Sequence, residues 1–220
     1  MPMVIVPVGL LMGPEFGADG PADRDPRYWE VHLGADPQRL STEQLAVWAG
    51  AYRTPQQHAR LQVTRERLEE SLREDDGPLG RVTDPARIVS ELLDRGLLIE
   101  YDPVDGALAE PFCRLRLFPQ GQGLGSTSDD PTRYRIGFAG YPLAKVGRNV
   151  YQLWWYSLSA PSIWDACVRL AGGDERPASR ADPLHHKAED LAREMGAALP
   201  HMVSMGAAFL DPAPERSVAR

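Results

Sequence analysis

Cysteine is nearly absent: Cys113 and Cys167 are the only two in 220 residues. Two thiols so far apart form neither a disulfide framework nor a metal-ligand spacing, so reduced thiols and a cytoplasmic location are expected. Lysine is almost as scarce, with Lys145 and Lys187 alone against many arginines. With abundant Ala, Gly and Pro, that is the composition expected of a GC-rich bacterial genome. No apolar run approaches the ~20 residues a membrane helix needs. The longest, Met3 to Met12, is broken by Pro7 and Gly9. No basic residue precedes it and no small-residue cleavage site follows, so neither a signal peptide nor a membrane partner is expected. Hydrophobic residues at 43% and charged residues at 25% suit a globular chain and not a disordered one.

Signatures of catalysis and cofactor binding are also lacking. There is no Gly-x-Ser-x-Gly elbow, and neither cysteine stands in a recognisable arrangement with His and Asn. Gly121–Asp130 (GQGLGSTSDD) has the glycines of a phosphate cradle, but Pro131 and a strand pattern follow where a helix start is needed. It reads as a flexible connection. His185 and His186 pair with Glu189 and Asp190 at helical spacing, yet two ligands do not close a metal site, and a solvated helix start is expected. No enzymatic activity, cofactor or metal is expected.

What the chain does contain is itself, twice. At an offset of 106, Tyr28 meets Tyr134, Gly34 meets Gly140, Leu40 meets Val146, Trp48 meets Trp154 and Pro55 meets Pro161. Upstream, Pro7-Val-Gly9 matches Pro119-Gln-Gly121 at offset 112, and downstream Gly96 matches Gly206 at offset 110. The spacing predicts an α+β chain of two tandem units, 1–111 and 112–220, related by internal duplication. Each unit reads as a strand (Tyr28–Leu33; Tyr134–Phe138), a brief second strand near Leu40 or Val146, and three helices. Ser41 is the N-cap candidate of the first helix. Pro55 or Pro161 opens the second, and Asp84-Pro85 or Asp182-Pro183 opens the third. Gly96 and Gly206 supply the left-handed stop. After Gly96, the turn Pro103-Val104-Asp105-Gly106 predicts a hairpin running on to Phe118.

The run RIVSELLDRGLLIEYDPVDG resembles the recognition helix and wing of MarR-type winged-helix regulators. The whole unit, strands before three helices and a closing Gly-Leu-Leu, resembles the PqqD-like fold, the peptide-binding module called a RiPP recognition element. The resemblance implies two winged-helix (helix-turn-helix-like) units. It further implies a leader-peptide recognition or accessory factor of a biosynthetic cluster, in which a peptide adds to an exposed strand beside the third helix. The alternative it carries is a DNA-binding transcriptional regulator.

Charge separates these readings. The net charge is −7 overall, about −9 on residues 1–110 and about +2 on 111–220. Carboxylates on the third helices (Glu91, Asp94; Glu189, Asp190, Glu194) repel phosphate, and an acidic first half opposes the long-range attraction to nucleic acid. Arg60, Arg65, Arg67 and Arg73 interleave with Glu66, Glu69 and Glu70, which reads as a salt-paired face. The basic residues of the second unit gather near its strands: Arg114, Arg116, Arg133, Arg135, Lys145 and Arg148. Arg114 and Arg116 alternate with apolar neighbours and are expected on one strand face. Trp155 and Tyr156 flank the core candidate Trp154 and are candidate partner anchors. These eight residues are the expected binding surface, for a peptide or protein of acidic character. A second copy of the chain is another candidate partner. The same arginines would equally pair with the carboxylates of the first unit.

Overall fold

A computed structural model describes residues 3–17, 25–52, 63–74, 79, 81–104, 107–173 and 182–214. The fold is α+β. By its contacts the chain divides between Glu100 and Tyr101 into two compact units.

The first unit runs β1 (Val4–Pro7), β2 (Leu10–Glu15), β3 (Tyr28–Leu33), β4 (Asp36–Leu40), α1 (Thr42–Gly50), α2 (Arg65–Glu74), α3 (Pro85–Asp94) and β5 (Leu98–Tyr101). β2, β3 and β4 form an antiparallel sheet in that order, and β5 pairs with β1. The second unit opens with the short helix α4 (Ala109–Cys113). It continues with β6 (Leu115–Pro119), β7 (Gln122–Gly125), β8 (Tyr134–Phe138), β9 (Tyr141–Val146), α5 (Arg148–Tyr156), α6 (Ile163–Ala171), α7 (Pro183–Ser204) and β10 (Ala208–Pro212). Its sheets are β7-β8-β9 and β10-β6, both antiparallel. After α4, the second unit repeats the element order and strand pairing of the first.

Local chemistry sets these elements. Ser41 caps α1 in a reciprocal box with Gln44: the Ser41 Oγ accepts from the Gln44 N–H at 3.2 Å, and the Gln44 Oε1 accepts from the Ser41 N–H at 2.9 Å. Asp84 and Asp182 cap α3 and α7, each followed by Pro in the first turn. Past these helices Gly96 and Gly206 take φ of +72° and +67°, left-handed values that favour glycine. The buried faces follow helical spacing: Leu45, Val47 and Trp48 in α1, and Ile88, Val89 and Leu92 in α3, join Ile5, Val31, Leu40 and Leu68 in the core of the first unit. In the second unit Leu117, Ile136, Leu153, Trp154, Ile163, Met195, Leu199 and Leu210 are buried.

Both units close on the same rung. The Val8 N–H donates to the Leu97 carbonyl at 2.9 Å, and the Gln120 N–H donates to the Ala207 carbonyl at 2.9 Å. A tryptophan indole seals each rung. Trp48 Nε1–H donates to Val8 O at 3.0 Å, and Trp154 Nε1–H donates to Ala207 O at 2.8 Å. The two indoles reach opposite strands of the rung, so they match in role and not in acceptor.

Several expectations are corrected. No wing hairpin spans Leu97 to Phe118, because β5 pairs with β1, residues 109–113 are helical, and β6 pairs with β10. Asp105 and Gly106 of its turn lie outside the described residues, as do Pro55 and Arg60. By its contacts the chain divides at Tyr101, not after Pro111, so the described residues from 101 to 111 group with the second unit. The Tyr101 hydroxyl donates to Gly196 O at 2.8 Å, the Tyr101 and Phe112 rings meet at 5.8 Å, and Phe112 is fully buried. Within Gly121–Asp130, residues 122–125 form strand β7 and not a loose connection.

The 106-residue offset also slips by one in the sheets. The ladders place Val31 with Ile136 and Trp29 with Tyr134, since Leu11–Val31–Gln38 corresponds to Gly123–Ile136–Ala144. A bulge between Ile136 and Gly137 absorbs the extra residue before Val146 meets Tyr134. A Cβ on Gly137 would run into the Tyr141 carbonyl, so that bulge needs glycine.

Replacing Trp48 or Trp154 by Phe keeps an aromatic ring but removes the indole donor: buried Val8 O loses the Trp48 bond, whereas Ala207 O keeps the Gln120 N–H. Trp48→Phe is expected to lower the stability of its unit by about 1–3 kcal/mol and Trp154→Phe by about 0.5–1.5 kcal/mol, measured as a shift in denaturation midpoint.

Candidate functional site

Three strands of each unit meet on one comparable rung. In the first unit it reads Gly13–Glu30–Arg39, and in the second Gly125–Arg135–Lys145. In each sheet the bulge falls just before the glycine, which has φ of +124° or +67°. The residues after the rung on the middle strands, Val31 and Ile136, are fully buried. Strand side chains alternate, so the rung faces away from the core.

The chemistry of the two rungs is opposite. In the first, Glu30 faces Arg39 across the strands and also takes His32 Nε2 at 2.7 Å, while the Arg39 guanidinium lies 4.7 Å from the Tyr28 ring centroid. In the second, two cations face each other. Arg135 donates to the carbonyls of Gly125 and Leu124 at 3.4 and 3.3 Å, and Arg133 donates to Lys145 O at 3.0 Å. Like charges directly opposed across strands destabilise a sheet.

The start of the following helix repeats the contrast. α1 has its Ser41 capping box and Glu43 in the first turn. α5 begins at Gly147, with no side-chain cap, and puts Arg148 in the first turn with no acid there. A cation at a helix N-terminus opposes the macrodipole. Among the described residues, none of Arg133, Arg135, Lys145 and Arg148 forms an ion pair.

The other expected site residues are placed differently. Arg114 is not on a strand; it follows α4 and pairs with Glu110 one turn back. Arg116 lies on β6, opposite Asp211 of β10, with its guanidinium 4.5 Å from the Phe118 ring centroid. The structure therefore puts Arg114 and Arg116 outside the β7-β8-β9 sheet. Trp154 is buried, Trp155 is 61% exposed, and Tyr156 is half-buried. Sequence reasoning missed the hairpin tip between β8 and β9, where Phe138 and Tyr141 are exposed beside the positive-φ Ala139. It also missed the glycine bulges that align the rung.

Arginines elsewhere are mostly neutralised on their own helices. Arg65 and Arg73 both reach Glu69, Arg87 reaches Asp84 and Glu91, Arg95 reaches Glu91, and Arg193 reaches Asp190. The salt-paired face expected on α2 is present in its described part.

The start of α7 is solvated on one side only, with His186, Lys187 and Asp190 exposed. α7 packs along α6, and Glu189 is buried. Its Oε1 lies 3.6 Å from His185 Nε2, its Oε2 has no partner among the described residues, and His185 packs on the Trp164 ring. Burial, reinforced by the Glu189 carboxylate, pushes the Cys167 thiol far above its ordinary range. This is the reverse of nucleophile activation. Among the described residues no cluster of His, Cys, Asp and Glu could hold a metal ion, and no helix is long and apolar enough to cross a membrane.

No family model, curated protein or solved structure matches this chain.

The thiols are expected to separate cleanly by reactivity. In native protein an aromatic disulfide reagent should modify half-buried Cys113 first, and Cys167 should react only at the rate of unfolding. Spectrophotometric thiol titration with and without denaturant measures this. Rapid native modification of both would contradict the burial of Cys167.

Proposed function

We propose that this chain is a non-enzymatic binding module whose partner is an acidic peptide or protein segment. The binding surface is the outward face of β7-β8-β9 with the start of α5. The observation that carries this reading is the opposed pair Arg135 and Lys145, flanked by Arg133 and Arg148, with no carboxylate on any of them among the described residues. An arrangement unfavourable in the unbound protein becomes favourable when anionic groups lie between the cations. The exposed Phe138, Tyr141 and Trp155 offer apolar anchorage in the same unit.

The proposed ancestry is one α+β unit copied in tandem. The shared element order, the matching closing rungs and the paired glycine bulges support it. Strands before three helices is the order expected from the resemblance to PqqD-like peptide-binding modules, and a leader-peptide recognition or accessory role is the corresponding proposal. The winged-helix reading loses its hairpin. A DNA-binding regulator is the lesser alternative, because the arginines of α3 and α7 are paired with carboxylates on the same helices. The overall charge of −7 also opposes polyphosphate.

The test is fluorescence anisotropy with a labelled peptide of alternating Glu and Val. Arg133→Glu with Arg135→Glu should weaken binding by about tenfold or more, with an unchanged melting temperature. Tighter retention on mixed-sequence duplex DNA than on the peptide at equal salt would reverse the ranking.

A further inference from the structure

We infer that only the second unit binds, so that each chain takes a single acidic segment, and that this segment carries carboxylates at alternate positions. The inference rests on the binding reading above and sharpens it to stoichiometry and motif.

The two rungs occupy the same place in the same sheet, so they form an internal comparison. In the first unit every charge on the rung has a neighbour: Glu30 has His32 at 2.7 Å and Arg39 across the ladder, and Arg39 has the Tyr28 ring. The Arg39 carbonyl accepts from Arg95 at 3.1 Å, as the matching Lys145 carbonyl accepts from Arg133 at 3.0 Å, but Arg95 further holds the Gln38 amide oxygen at 3.2 Å. An anionic chain gains little there, since it would meet Glu30 and displace contacts already made. In the second unit Arg135 replaces Glu30 and Lys145 replaces Arg39, while Gly147 and Arg148 replace Ser41 and Thr42 at the helix start. Arg135 for Glu30 and Arg148 for Thr42 move the surface toward positive charge, Lys145 keeps the cation of Arg39, and Gly147 removes the Ser41 cap.

The geometry also limits the motif. Directly opposed strand residues have Cβ atoms roughly 5 Å apart. In an extended chain, residues two apart point the same way about 6.6–6.8 Å from each other. Carboxylates at alternate positions can therefore reach Arg135 and Lys145 together, whereas adjacent ones point to opposite sides. Arg135 and Lys145 are the positions that set specificity.

Isothermal titration of the full chain with the alternating Glu–Val peptide tests both parts. The expected result is one peptide per chain. Binding should fall by about tenfold or more in Arg135→Glu, and in Arg135→Gln with Lys145→Gln should charge reversal disturb folding. Glu30→Gln, in the first unit, should leave stoichiometry unchanged and affinity within about twofold. A composition-matched peptide with its Glu residues in adjacent pairs and blocks should bind more weakly. Two peptides per wild-type chain, with one still bound to Arg135→Glu, would overturn the inference and leave the binding reading standing. No binding to the wild-type chain at low salt would overturn both.

Discussion

The join between the first and last strands carries each unit. β1 and β5 are separated by the three-stranded sheet and the three described helices of the first unit, as β6 and β10 are by the sheet and α5, α6 and α7 in the second. Bringing such distant segments together costs loop-closure entropy, which must be offset by what the join buries. The backbone bond at the rung and the indole bonded to its carbonyl satisfy polar groups that would otherwise be stranded. With that rung in place, α1 or α5 is fixed against the strand pair through its tryptophan, and the three-stranded sheet hangs from the same helix. The sheet can then vary its outward face without touching the closure.

Features whose chemistry is local were legible in the sequence. Ser41, Asp84-Pro85, Asp182-Pro183, Gly96 and Gly206 act within a few residues and stand where their types predict. Features that depend on distant partners were not. Asp105-Gly106 carries a hairpin signal, but β5 already has β1 as its partner and β6 has β10. β7 reads as a loose connection because Gly121 precedes it and Gly123 and Gly125 interrupt it, and edge strands with bulges tolerate such residues, as β2 does Gly13 and Pro14. The one-residue slip between Tyr28 and Trp29 as the match for Tyr134 has the same origin. An ungapped comparison cannot see a bulge, yet one residue decides which face a side chain takes. The basic cluster was legible as composition. Its division between a loop-end ion pair, a two-stranded sheet and a three-stranded sheet was not, since that is set by pairing.

The polar residues buried beneath α7 show why proximity alone does not make a reactive centre. Cys167, Glu189 and His185 include types found in nucleophilic sites. Here the carboxylate lies near the thiol without a cation to stabilise the thiolate, and burial acts in the same direction. A thiolate would add a second buried negative charge, so the thiol stays protonated and behaves as a small apolar side chain against Trp164 and the core.

Two units of the same strand order differ in the charge of their outward sheet faces. A cation pair on a sheet face is a modest penalty, on the order of 0.2–1 kcal/mol per pair, small beside the burial of Ile136 and Val146 on the other face. A unit whose closure and core are independent of its outer face can carry that penalty. The first unit has opposite charges on its face, Glu30 across from Arg39, with His32 beside Glu30 and the Tyr28 ring beside Arg39. The second has Arg135 and Lys145 at the matching positions and no side-chain cap on α5. Losing neutralising partners at both the rung and the helix start is hard to account for by stability, since each loss is unfavourable by itself. It is accounted for if the missing negative charge comes from another molecule, and in that case the cost in the unbound state is the source of selectivity for an anionic partner.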